Sequence, residues 1–134
     1  VQGHALTYCC IDATTRDFAR FGLLFARGGK WGNTQVVSEA WVDKATATSV
    51  SLLADASYGL HWWVNPELDY FYSAGMDKNH IYIFPQYDLV IVRNSVYTRT
   101  GDSTIRTASN WIRTEGPNSW SDADFVSYVT NAIN

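Results

Sequence analysis

The segment HIYIFPQYDLVIVR, residues 80–93, constrains the fold more than any other part of the chain. Two runs rich in β-branched and aromatic residues are separated only by PQYD. A connection that short between two strand-forming runs predicts an antiparallel hairpin. The run LVIV is apolar at both parities, which predicts a central strand covered on both faces. Two further runs alternate: YGLHWWV (58–64) and YFYS (70–73), with Pro66 in the turn NPELD between them. The alternation sets Tyr58, Leu60, Trp62 and Val64 on one face. Strands over 58–64, 70–75, 80–84 and 89–95 are therefore expected side by side and antiparallel.

The first third of the chain has a different period. In TTRDFARFGLLFARGGKWGN, Phe18, Phe21, Gly22 and Phe25 share one face of a helix, with Arg16, Arg20 and Arg27 mostly elsewhere. Thr14 with Asp17 three residues on forms a short capping box. Gly28 and Gly29 supply the left-handed stop. KWGN is a polar turn, followed by the short apolar piece TQVV. Ser38 caps a second helix, SEAWVDKATA, with Glu39 in its first turn and Trp41, Val42 and Ala45 on its apolar side. Residues 49–57 read as a loop, and residues 98–120 are polar, with part of 103–113 open to a helical reading. Ser121 caps a last helix, with Asp122 and Asp124 in its first turn and Phe125, Val129 and Ile133 on one face. Helices grouped around consecutive strands give an α+β fold, an antiparallel sheet flanked by helices.

Composition narrows the functional classes. The chain has 134 residues, 46% hydrophobic and 17% charged, enough for one domain with a real core. A net charge of −3 with both signs interspersed provides no basic footprint for nucleic acid and no polybasic membrane patch. No apolar run reaches the roughly 18 residues of a membrane span. A charged segment followed by an apolar one is absent at the start, so no signal peptide is expected. Cys9 and Cys10 are adjacent, and a bridge between neighbours would be strained, so two reduced thiols are expected.

Motifs that would carry chemistry are mostly missing. Gly-x-Ser-x-Gly, Ser-x-x-Lys, Tyr-x-Asn and Ser-x-Asn do not occur. GDS at 101–103 is a lone tripeptide without context. The histidines are His4, His61 and His80; His61, between Leu60 and Trp62 on an expected strand, reads as structural. His80 alternates with Tyr82 and Phe84, which reads as a packed face, though a general base there would need a nucleophile within reach. No metal-ligand spacing is present, and no metal or cofactor is implied. The glycines at 28, 29 and 32 follow a helix instead of preceding one, unlike a phosphate loop. The 6 Trp and 8 Tyr leave open an aromatic sugar-binding platform, although most sit at core-like positions.

One set of residues resembles a known family. ATTRDFARFGLLFARGGKWGNTQVVSEAWVDKAT is similar to the helix-turn-helix segment of the serine β-lactamase-like hydrolases. These include class C β-lactamases, penicillin-binding-protein-like esterases, D-peptidases and 6-aminohexanoate-dimer hydrolases. Thr15, Arg16, Asp17, Ala19, Arg20, Gly22, Gly28, Gly29, Trp31, Trp41 and Val42 carry the pattern. YCCIDA before it, and YGLHWWV and FYSAGMDKNHIYIFPQYDLVIVRNS after it, resemble the flanking parts in the right order. The resemblance spans residues 3–97. It implies a single partial domain over 1–134, the C-terminal portion of a β-lactamase/transpeptidase-like fold.

The resemblance also implies a site. The family's Ser-x-x-Lys and its Tyr-x-Asn or Ser-x-Asn lie upstream of the matched region, so this chain would supply only the third element, a Lys-Thr-Gly-like strand. SAG is its counterpart: Ser73 stands where the family often has Lys or His, Ala74 where it has Thr or Ser, and Gly75 on the Gly. The missing cation departs from the pattern and removes the side chain that would hold a substrate carboxylate. By resemblance the N–H of Met76, after Gly75, is an oxyanion donor that points out of the sheet into a groove. Ser73, Ala74 and Asn79 are then substrate-binding positions. The implied partners are an ester, amide or lactam substrate and the N-terminal portion of the same enzyme, on the same or a separate chain. A bacterial periplasm or cytoplasm would suit equally. Without the resemblance, SAG reads as a hairpin end with a permissive Gly. A non-catalytic binding module that keeps the fold is the competing reading.

Overall fold

Thr14 begins the first helix as the sequence requires. A computed structural model of the protein describes residues 11–51, 57–75, 79–94 and 121–133. Helix α1 spans Thr15–Ala26, and the Thr14 Oγ accepts the Asp17 N–H at 3.2 Å. The same hydroxyl donates to the Asp17 carboxylate at 2.6 Å, which Arg20 also meets. At the other end Gly29 N–H donates to Leu24 O at 2.8 Å and Gly28 N–H to Phe25 O at 3.2 Å. These are the two bonds of a Schellman stop, which needs a left-handed residue just beyond the helix. Gly28 and Gly29 provide it with φ of 58° and 81°.

A two-residue hairpin follows, β1 (Lys30–Trp31) on β2 (Thr34–Gln35), turning at Gly32 with φ 57°. Gly29 O then accepts from both Val36 N and Val37 N. Helix α2 (Glu39–Thr46) starts at Ser38, whose Oγ accepts the Trp41 N–H at 3.3 Å. Val42 and Ala45 are buried. Trp41, expected on that face, is 47% exposed.

The main sheet has six strands in sequence order, all antiparallel. They are β3 (Val50–Ser51), β4 (Ser57–Tyr58), β5 (Trp63–Asn65), β6 (Tyr70–Ala74), β7 (His80–Phe84) and β8 (Leu89–Arg93). Of these, β3 and the first residue of β4 lie in the stretch expected to be a loop. The segment YGLHWWV is not one strand. Gly59 N–H donates to Trp62 O at 2.8 Å, and His61 has φ 69°, so the chain reverses between β4 and β5. Gly59 is required there, since a Cβ would sit 2.2 Å from the Ala45 carbonyl oxygen. The reversal changes the faces: Tyr58 pairs with Trp63, and Trp62 and Val64 join the core on the other side. His61 is exposed at the turn and not inside a strand.

The β7–β8 hairpin forms as predicted, through a 3-10 turn at Pro85–Tyr87 and a left-handed Asp88 with φ 46°. The buried central strand is β7, all five of whose residues are buried. By contrast β8, expected to be central, is the last strand among the described residues and is half-buried throughout. Among the described residues, then, the member of the hairpin that is buried at every position is β7.

The two faces of the sheet differ. In-register positions Val64, Phe71, Ile83 and Val90 face one way. With Ile81, Trp62, Val42, Ala45 and Phe25 of α1 they form the hydrophobic core, and Phe18 packs at its edge. Phe21 stacks on Trp62 at 6.0 Å but stays 45% exposed. On the opposite face, Tyr58, Trp63, Tyr72 and Tyr82 line up across four strands. Trp63 stacks on Tyr72 at 6.3 Å and Tyr72 on Tyr82 at 5.9 Å. Tyr70 stacks on Phe84 at 5.1 Å one register step away. The N-terminal residues 11–51 and the sheet make one compact unit; residues 121–133 belong to another. In the latter, α3 (Asp122–Ile133) begins with the Ser121 Oγ accepting the Asp124 N–H. Its buried residue is Val126, while Ile133, expected on the apolar face, is 40% exposed.

Candidate functional site

The end of β6 that carries SAG is held by β7. Ser73 pairs with Ile81 and Ala74 with His80, and Gly75 N–H donates to Asn79 O at 2.8 Å to close the hairpin. In an antiparallel ladder, hydrogen-bonded and non-bonded pairs alternate. The Gly75–Asn79 bond makes 75/79 and 73/81 bonded pairs, so 74/80 is a non-bonded pair. The N–H and C=O of Ala74 therefore point away from β7, towards the side of β5. But β5 reaches only to Trp63, which pairs with Tyr72. Beyond Tyr72 the outer edge of β6 has no strand partner among the described residues.

Each predicted site residue has a definite setting, save one. Ser73 is half-buried on the face of α1, and its Oγ accepts the Ile81 N–H at 3.1 Å. Ala74 and Gly75 are exposed at the open edge. A Cβ on Gly75 would lie 2.8 Å from the Asn79 carbonyl oxygen, so the hairpin itself requires glycine here. Asn79 contributes its backbone carbonyl to that closure and is half-buried. Met76, the predicted oxyanion donor, lies outside the described residues, as do Cys9, Cys10, His4 and the GDS tripeptide. The structure thus brings Ser73, Ala74, Gly75 and Asn79 together at one hairpin end.

His80 is 4% exposed and its Nδ1 lies 2.8 Å from the Tyr82 hydroxyl, itself fully buried. The His80 ring meets Tyr72 at 5.9 Å and Tyr82 edge-on at 5.3 Å. This pair was legible only as "packed": His80 and Tyr82 are two apart on one strand, a spacing that puts them on the same face. The aromatic row was missed because the reversal at Gly59–Trp62 was missed.

An ion pair lies at the other end of the β7–β8 hairpin. Arg27 donates through Nε and Nη2 to both carboxylate oxygens of Asp88, at 2.9 and 2.7 Å, tying the end of α1 to the β7–β8 turn. The hydrogen bonds from Arg27 hold the Asp88 carboxyl below its ordinary range. Hydrogen bonds from Thr14, then Arg20, do the same for Asp17. A depression of about 280 Å³ lined by Thr46, Asn65, Asp69, Tyr70 and Phe71 lies at the opposite end of β6 from Ala74. Among the described residues no cluster of His, Cys, Asp or Glu could hold a metal ion, and no helix is long and apolar enough to cross a membrane.

Neither the protein-family models nor the curated proteins contain a match to this chain.

Proposed function

We propose that the chain is the C-terminal portion of a serine-dependent acyl hydrolase acting on an ester, amide or lactam. The observation that carries this reading is the outer edge of β6. The Ala74 N–H and C=O point outward where β5 no longer covers the strand, next to a glycine. An unpaired strand edge offers a carbonyl substrate fixed, preorganised hydrogen-bond partners. The same alternation would turn the Met76 N–H to that side if the strand ran on. In the complete enzyme a Ser Oγ attacks the substrate carbonyl carbon, and the carbonyl oxygen takes the negative charge. The Met76 N–H and the N–H of the nucleophile donate to that oxyanion. The bond to the leaving alcohol or amine then breaks, the leaving group takes the serine proton, and water hydrolyses the acyl-enzyme. Ser73 has a neutral hydroxyl, which accepts the Ile81 N–H, and so offers a substrate carboxylate no cation.

A second reading is favoured by Gly75. The close approach to Asn79 O accounts for this glycine without any substrate. On that reading the chain is a binding module whose hairpin ends in SAG for steric reasons.

Amide spectra of the 15N-labelled chain titrated with p-nitroacetanilide, a neutral acyl amide, separate the two. Saturable shifts at Ala74 and Met76, with none at Asn65, are expected. Absence of shifts at 74–76 at millimolar probe removes the carbonyl-binding reading of the edge.

A further inference from the structure

Support for β6 becomes one-sided just where the candidate site begins. Up to Tyr72 the strand is held by β5 and β7; at Ala74 and Gly75 only β7 pairs with it among the described residues. Among the described residues, the strand support for those two comes from β7. The residue of β7 opposite Ala74 is His80. In a non-bonded antiparallel pair the Cα atoms are about 4.5 Å apart, closer than in a bonded pair, so side chains at such positions pack directly.

The His80 ring is itself restrained on three counts. It is buried, its Nδ1 is 2.8 Å from the Tyr82 hydroxyl, and it lies against the rings of Tyr72 and Tyr82. Tyr82 is in turn 0% exposed and stacked on Tyr72. A histidine alone could adopt several ring orientations. A hydrogen bond at one ring nitrogen selects among them, and the low local dielectric makes that bond electrostatically stronger than in water.

We propose that His80, locked by the Tyr82 hydroxyl, is a positioning residue that holds Ala74 and Gly75 at the outer edge of β6. It acts through Ala74 and touches no substrate. The inference rests on the reading of that edge as a carbonyl-binding site.

The test compares the 15N-labelled wild-type chain with Tyr82→Phe, which removes the hydroxyl and keeps the ring. Tyr87→Phe, at the 38% exposed Tyr87 of the β7–β8 turn, is the control. Two readouts are taken: hydrogen exchange of the Gly75 and Ile83 amides, and affinity for p-nitroacetanilide from the Ala74 shift. Ile83 is opposite Phe71, where β5 still backs β6. Positioning predicts that Tyr82→Phe speeds Gly75 exchange at least several-fold more than Ile83 exchange. It also predicts a roughly fivefold weaker affinity, the scale of one neutral hydrogen bond. Tyr87→Phe changes neither. Equal acceleration at Gly75 and Ile83 means that the hydroxyl serves general stability alone and overturns the proposal. So does an unchanged affinity in Tyr82→Phe. A wild-type chain that binds no probe defeats the carbonyl-binding reading instead, and the exchange comparison then decides whether His80 holds the edge. Should Tyr82→Phe fail to fold, His80→Gln takes its place; unaltered Gly75 protection in that variant overturns the proposal.

Discussion

Gly22 of α1 and Val90 of β8 meet with no room for a methyl group between them. A Cβ on Gly22 would lie 2.5 Å from Val90 Cγ1 and 3.0 Å from Ile81 Cγ2. The helix can rest on β7 and β8 this closely only because position 22 lacks a side chain. Alanine would add about 1 kcal/mol of helix propensity. Overpacking a core contact costs about 1–3 kcal/mol, and both neighbours are β-branched and stiff. Packing should win, so Gly22→Ala is expected to lower stability by about 1 kcal/mol in urea unfolding. In the Val90→Ala background the same change should cost less, because the obstructing methyls are gone. Equal losses in both backgrounds would place the effect elsewhere.

The two glycines at 29 and 32 both have positive φ, yet they should respond differently. At Gly29 a Cβ would fall 2.0 Å from the Val37 carbonyl oxygen, which is backbone and cannot rotate away. At Gly32 nothing lies within 4 Å. Gly32→Ala should therefore cost only the left-handed conformation, about 1 kcal/mol. Gly29→Ala should cost that and a displaced connection between α1 and α2. Thermal melts of the two variants provide the check: comparable melting temperatures would contradict the close approach at Gly29.

These elements show how far local rules reach. Thr14, Ser38, Gly28 and Gly29 do what their sequence positions imply, because caps and stops are decided within a few residues. The β7–β8 hairpin is equally local, fixed by a short turn between two strand-forming runs. The failures concern choices made across the chain. The alternation in YGLHWWV hid a reversal, which depends on Gly59 approaching Ala45 O and is invisible in the periodicity. Which of β7 and β8 is buried on both faces depends on strand order, and LVIV and HIYIF look alike in composition. The pairing of Tyr58 with Trp63, and hence the aromatic face, followed from the same error. At the candidate site, the sequence indicated the hairpin end, but the stop of β5 at Trp63 could be found only from the register.

The Arg27–Asp88 pair predicts a direction for acid stability. Asp88 is titrated below its ordinary value of 3.8 in the folded chain, chiefly through hydrogen bonds from Arg27. A depressed folded pKa means that the unfolded chain binds the proton more readily. The contribution is therefore present above the ordinary value and is lost as pH falls through the depressed one. Asp17 adds to the same window. Both carboxylates are exposed to solvent, so the effect is small and screened by salt. Asp88→Asn should flatten the fall in melting temperature below about pH 4, most visibly at low ionic strength. An acid profile in that variant identical to the wild type would show that the pair contributes nothing.

The 134-residue chain by itself should not turn over an acyl substrate. Acyl transfer through serine needs a hydroxyl beside a base, and the Ser-x-x-Lys that would provide it does not occur in the sequence. Ser73, the serine nearest the candidate edge, has its Oγ accepting the Ile81 N–H and shares the face of α1 with the core. His80 cannot replace a missing base for it: in-register alternation puts Ser73 and His80 on opposite faces of the sheet. Removing a serine nucleophile or its base costs several orders of magnitude in rate, leaving only what binding and an oxyanion donor provide. Release of p-nitrophenol from p-nitrophenyl acetate by the purified chain is therefore expected to match a buffer control. Labelling with a fluorophosphonate should be absent under the same conditions. Turnover above the control that is abolished by the fluorophosphonate would reveal a nucleophile within these residues. That result would rule out a division of labour in which this chain brings only the edge of β6.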